Sequence, residues 1–132
     1  MLHVANTTKH PVVLSEKLLS NISNEILGFS YDVSIVIVGE KKARTLNQEY
    51  RNKDYVPNVL SFPIDETMGE IFLNPKTAHI EALKFDLSVQ HYIYYLLIHS
   101  MLHLKGFDHG DEMSAQEALY MKKYCNITIN FN

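Results

Sequence analysis

Three histidines within eleven residues, His99-Ser-Met-Leu-His103-Leu-Lys-Gly106-Phe-Asp-His109, constrain this chain more than any other feature. Residues four apart on a helix share a face, so His99 and His103 can offer two imidazoles to one metal ion. Gly106 can take a positive φ, end the helix and turn the chain so that His109 approaches from another direction as a third ligand. The preceding residues supply the helix. From about Ser88 to Leu104, Ile93, Leu96, Leu97, Ser100, Met101 and Leu104 recur on one face. Three neutral imidazoles favour zinc, with nickel, copper and iron left open by ligand type, and they leave a fourth coordination position. His91 cannot fill it, because eight helical residues before His99 lie about 12 Å away along the axis. Cys125, Asp108, Asp111 and Glu112 stay open as fourth ligands of a closed structural site, although no second pair of ligands at finger spacing exists.

The remaining elements follow from period and punctuation. Leu18, Leu19, Ile22 and Ile26 predict a helix between Ser15 as N-cap and Gly28 as stop. Tyr31 to Val38 alternates as a strand, and Glu40 to Arg51 returns to helical spacing through Ala43, Leu46 and Tyr50. A polar loop over 52–58 precedes a short strand, Val59 to Phe62, that Pro63 is expected to end. Gly69 to Leu73 is a further strand, and Asn74-Pro75 caps a helix running to about Leu83. Ser114-Ala-Gln-Glu117 has the form of a capping box opening a last helix through Lys123. Helices mixed irregularly with three or four short strands predict an α+β fold, and 132 residues suit a single domain spanning 1–132.

Composition narrows the function. Twelve Lys and Arg against fifteen Asp and Glu leave a formal charge of -3, so no whole-molecule positive field marks a nucleic-acid binder, and any such binding is local. The longest apolar run, Tyr92 to Ile98, falls far short of the roughly twenty residues that span a bilayer. With a single cysteine and no charged stretch leading into an apolar core at the N-terminus, a cytoplasmic protein is expected. Tyr92, Tyr94 and Tyr95 fall inside the long helix and are expected in the core rather than as a platform for bases.

Short-spaced histidines around a glycine also occur in metzincin proteases, which carry a glutamate directly after the first histidine as general base. Here that residue is Ser100, whose hydroxyl cannot take a proton near neutral pH, so peptide hydrolysis by that route is disfavoured.

Two blocks resemble the YbeY endoribonucleases, bacterial metal-dependent RNA-processing proteins. One is Leu46-Asn-Gln-Glu-Tyr-Arg51-Asn-Lys53-Asp54 with Asn58-Val-Leu-Ser61-Phe-Pro63; the other is His99 to His109. Gly69-Glu-Ile-Phe-Leu resembles the family's Gly-Asp-Ile strand, and the likeness covers roughly 33–121. Ser100 and Asn52 stand where the family has glycine, and Val56-Pro57 where Pro-Thr is common. The resemblance implies a mixed four-stranded sheet surrounded by helices, a zinc ion on three histidines in a cleft built on a central helix, and single-stranded or ribosomal RNA as substrate. It also implies maturation of the 16S rRNA 3′ end and ribosome quality control. Two other readings of the same residues are a metallohydrolase acting on a different bond and a non-catalytic, zinc-stabilised ribosome-binding factor.

Arg51 matches the family's functional arginine, and its planar fork suits two phosphate oxygens at once; the alternative is a helix-end residue paired with Asp54 or Glu49. Lys53 and Lys105 are candidates to line the RNA path, with ribosomal proteins supplying further affinity. Asp108, beside His109, is a candidate to orient an imidazole or to cap the turn.

Overall fold

Alternating apolar residues at Val33, Ile35 and Ile37 drive the centre of the fold, because each is almost wholly removed from water on one face of a strand. The structure is a computed structural model, and residues 1–129 are described. In chain order the elements are β1 (Leu2–Asn6), α1 (Glu16–Leu27), β2 (Asp32–Ile37), α2 (Glu40–Arg51), β3 (Val59–Asp65), β4 (Met68–Leu73), α3 (Pro75–Ala82), α4 (Val89–Lys105) and α5 (Asp111–Cys125). A 3-10 turn, Leu83–Phe85, follows α3. The four strands form one sheet in the order β1-β2-β4-β3. β1 and β4 both pair parallel with β2, and β3 runs antiparallel to β4 at the edge. Parallel neighbours need a crossover between them. α1 supplies it for β1 and β2, and the segment from α2 through β3 supplies it for β2 and β4. The architecture is α+β with a mixed sheet, as expected.

Caps fix the helix ends. Ser15 accepts from Leu18 N–H, Asn74 from Thr77 N–H ahead of Pro75, and Ser88 from His91 N–H, each satisfying an amide that the helix cannot. α4 is central: nine of its seventeen residues are buried, from Tyr92 through Leu102. It packs against α1, α3, α5 and β3. Its C-terminal end comes close to the sheet at Gly69, where a Cβ would lie 2.5 Å from the Tyr31 hydroxyl and 2.9 Å from a Leu104 methyl. No side chain fits there without displacement.

Three local expectations are corrected. β1 is a strand that the periodicity of the sequence does not predict; its five residues are held by non-local pairing with β2. Pro63 does not end β3, which continues to Asp65 with a register shift between Pro63 and Asp65. An edge strand tolerates proline because one row of its amides needs no partner. The last helix starts at Asp111, three residues before Ser114, which lies inside it and donates its backbone N–H to Gly110 O. Among the described residues, no helix is long and apolar enough to cross a membrane.

Candidate metal centre

The end of α4 assembles the histidines. Gly106 takes φ 116°, its N–H bonding to the carbonyls of Leu102 and His103, while Phe107 N–H reaches Leu102 O. This left-handed stop folds the chain back over the last turn. The carbonyl of Phe107 is thereby delivered to His103, whose Nδ1–H donates to it at 3.0 Å. The same turn brings His109 over, so that ligand atoms of His99, His103 and His109 all lie within 4.8 Å of one another. Ring centroids are 4.5, 4.8 and 5.3 Å apart.

His99 is oriented from a different element. Glu117 on α5 is 6% exposed and places Oε2 2.5 Å from His99 Nδ1. Its other oxygen accepts from the Tyr95 hydroxyl at 3.5 Å. Burial, reinforced by the Glu117 charge, pushes the Tyr95 phenol well above the ordinary range, so Tyr95 stays a donor. With both Nδ1 atoms engaged as donors, His99 and His103 present Nε2 lone pairs to each other at 3.1 Å. Two ligands of a tetrahedral zinc site, each about 2.05 Å from the ion, are about 3.3 Å apart. The donor set therefore fits a single borderline-soft divalent cation. Burial, then the charge of His99, lowers the His103 pKa and keeps its ring neutral, the form that ligates.

Arg51 closes the opposite wall. It is the last residue of α2, followed by Asn52 in the left-handed conformation, and its Nη1 donates to Asn47 Oδ1 at 3.2 Å and to the Tyr55 hydroxyl at 3.4 Å. Asn47 is fully buried and also donates to Tyr55 O, so one side chain positions both the arginine and the loop after it. The carboxylate of Asp54 is taken by Arg44 and Gln48. Among the described residues Arg51 has no carboxylate partner, which leaves its charge for a ligand. A cleft of about 790 Å³ is lined by Arg51, His99, His103 and His109 together.

Other candidates lie elsewhere. Lys53 and Lys105 are exposed, and neither lines this cleft. Asp108 is exposed on the turn, and the carboxylate that reaches an imidazole is Glu117 instead. The Ser114-to-Glu117 spacing expected to form a capping box lies inside α5 instead and turns Glu117 inward. The three histidines form the group that brings ligand atoms together, without Cys125, Asp108, Asp111 or Glu112. Cys125 packs at the margin of the core, where burial raises its pKa.

Comparison with known proteins agrees with the fold. The model of the family described as Endoribonuclease YbeY matches residues 4–128. The YbeY endoribonuclease of Thermodesulfovibrio yellowstonii is 31% identical, covering 92% of this chain and 91% of that protein. The one from Methylobacillus flagellatus is 30% identical over 89% of this chain and 80% of that protein. The Finegoldia magna relative is 41% identical, but the match spans 63% of this chain and 59% of that protein. A solution structure of a Thermotoga maritima protein superposes with a TM-score of 0.65 at 26% identity, covering 96% of this chain and 90% of that one. With a family model spanning almost the whole sequence and relatives of this similarity, the chain belongs to the YbeY endoribonuclease family.

Proposed function

We propose that this chain, acting as a single domain over residues 1–132, is a cytoplasmic, zinc-dependent endoribonuclease that cuts single-stranded RNA. Its role is in maturing the 3′ end of 16S rRNA and in ribosome quality control, where ribosomal proteins are its partners. The observation that carries the reading is one cleft holding three convergent imidazoles and an arginine with no carboxylate partner among the described residues. In this reading His99, His103 and His109 hold the ion and leave one position for water or substrate. When bound, zinc supplies Lewis acidity and brings the ionisation of water down toward neutral pH.

The chain's own residues do the rest. Glu117 and Phe107 O hold two imidazoles in the tautomer that ligates. Arg51, steadied by Asn47 and Tyr55, meets a phosphate with two N–H donors and stabilises charge that develops on its oxygens. Lys53 follows Arg51 in the loop and Lys105 ends α4; their exposed ammonium groups suit an RNA backbone passing outside the cleft.

The test is cleavage of a fluorescent single-stranded RNA by purified protein, by chelator-treated protein and by His103→Ala. Cutting by the first alone supports the reading. Equal cutting by all three, or none by zinc-loaded wild type, refutes it.

A further inference from the structure

The cleft continues along α4 away from the histidines. At that end Glu81, half-buried on α3, turns a carboxylate into the same space. Its Oε1 accepts from Asn58 Nδ2 at 2.7 Å and from the Tyr92 hydroxyl at 3.0 Å. Both lone pairs of that oxygen are thus used, while Oε2 has no hydrogen-bond partner among the described residues. Asn58 is fixed in turn, its Oδ1 accepting from Val59 N–H at 2.6 Å and its carbonyl from Asn74 N–H at 2.8 Å. The acceptor is therefore held in place before any ligand arrives. Beside it Phe85, 42% exposed, lines the cleft and stacks on Tyr92 at 5.4 Å and 21°. Tyr92, Tyr95 and His99 continue the wall, with ring centroids 6.0 and 6.1 Å apart. Tyr92 precedes His99 by seven residues, roughly 10 Å along the helix.

A fixed anion at this distance sorts the parts of an RNA strand. Phosphate is repelled from Glu81 and drawn to Arg51 and the histidines, which leaves a ribose hydroxyl or a base to reach Glu81, and the aromatic wall beside it suits a base. An exocyclic amine on adenine, cytosine or guanine donates to a carboxylate oxygen. Uracil has no amine; its one N–H lies between two carbonyl oxygens, which a carboxylate repels. We propose that Glu81, held by Asn58 and Tyr92, determines specificity by accepting from the amine of a base next to the scissile phosphate, while Phe85 stacks on that base. This rests on the nuclease reading above.

The experiment measures kcat/KM of zinc-loaded protein on fluorescent oligo(A), oligo(C) and oligo(U). Wild type is expected to prefer the first two over oligo(U) by about tenfold or more, the worth of one hydrogen bond to a charged group. Glu81→Gln keeps an amide oxygen for Asn58 and Tyr92 but turns an amine toward the base. It is expected to bring the ratio near one, with zinc content and Tm unchanged. Phe85→Leu, at an exposed position, is expected to cost oligo(A) several-fold more than oligo(U), since purines stack best. A wild-type enzyme that cuts all three equally overturns this inference and leaves the nuclease reading standing; one that cuts none overturns both. Uniform losses in Glu81→Gln, with the wild-type ratio intact, assign Glu81 a structural role and overturn the inference. A uniform effect of Phe85→Leu overturns the placement of a base at this end of the cleft.

Discussion

Replacing Glu117 tests how the support behind the histidines works, because this residue touches no proposed substrate and reaches the three-histidine group through His99. Its Oε2 lies 2.5 Å from His99 Nδ1 in a side chain only 8% exposed, so the bond is charge-assisted and shielded from solvent. Bonds of this kind contribute about 1.5–3 kcal/mol, and carboxylates behind metal-ligating histidines typically change metal affinity by about tenfold to a hundredfold. Glu117→Gln keeps an oxygen that can accept from Nδ1–H and loses the charge, so zinc affinity should fall by about tenfold. Glu117→Ala removes the acceptor as well and frees the ring to rotate, so the loss should approach about a hundredfold. Competition against a chromophoric zinc chelator gives both constants, and thermal melts of the metal-free proteins separate affinity from folding. Wild-type affinity in both variants, with the fold intact, would refute the role given to Glu117.

Arg51→Ala should keep zinc and fold while losing about tenfold to a thousandfold in RNA cleavage, and Arg51→Lys should recover little because the fork is gone; full cleavage by the alanine variant would move the search for the phosphate-binding cation to Lys53 and Lys105. The pH dependence follows from the lowered pKa of His103, relative to an ordinary value of 6.5. The unfolded chain takes up this proton first as pH falls, so metal-free protein should lose stability below about pH 6.5 and regain it as pH rises. In His103→Gln that part of the slope in a pH series of melts should be absent. Gly69→Ala should destabilise by about 1–3 kcal/mol in urea titrations, because its Cβ would meet the Tyr31 hydroxyl and Leu104. Tyr31→Phe should recover part of this, since that hydroxyl is buried without a hydrogen-bond partner among the described residues.

What the sequence made legible was what local chemistry determines. Ser15, Asn74-Pro75, Ser88 and Gly106 all stand where the structure begins or ends a helix, because caps and left-handed stops depend on a few neighbouring residues. The three histidines met because four-residue spacing and a glycine turn are local as well. The features missed depend on residues distant in sequence. β1 is too short to show a period and exists because β2 lies beside it. Glu117 faces His99 across eighteen positions, and its spacing after Ser114 suited a helix start equally well. Asn47, fully buried, carries Arg51 and Tyr55 through contacts that no periodicity reveals. Pro63 misled because tolerance of proline depends on strand order, which short strands do not specify.

The most direct test of the account is a zinc titration of metal-free protein with RNA cleavage and bound metal read on the same samples. Cleavage should rise in proportion to bound zinc and level off at one ion per chain in wild type, while His99→Ala, His103→Ala and His109→Ala bind little and cut little. Full cleavage by fully metal-depleted wild type, or unchanged zinc content in any two of the histidine variants, would contradict it.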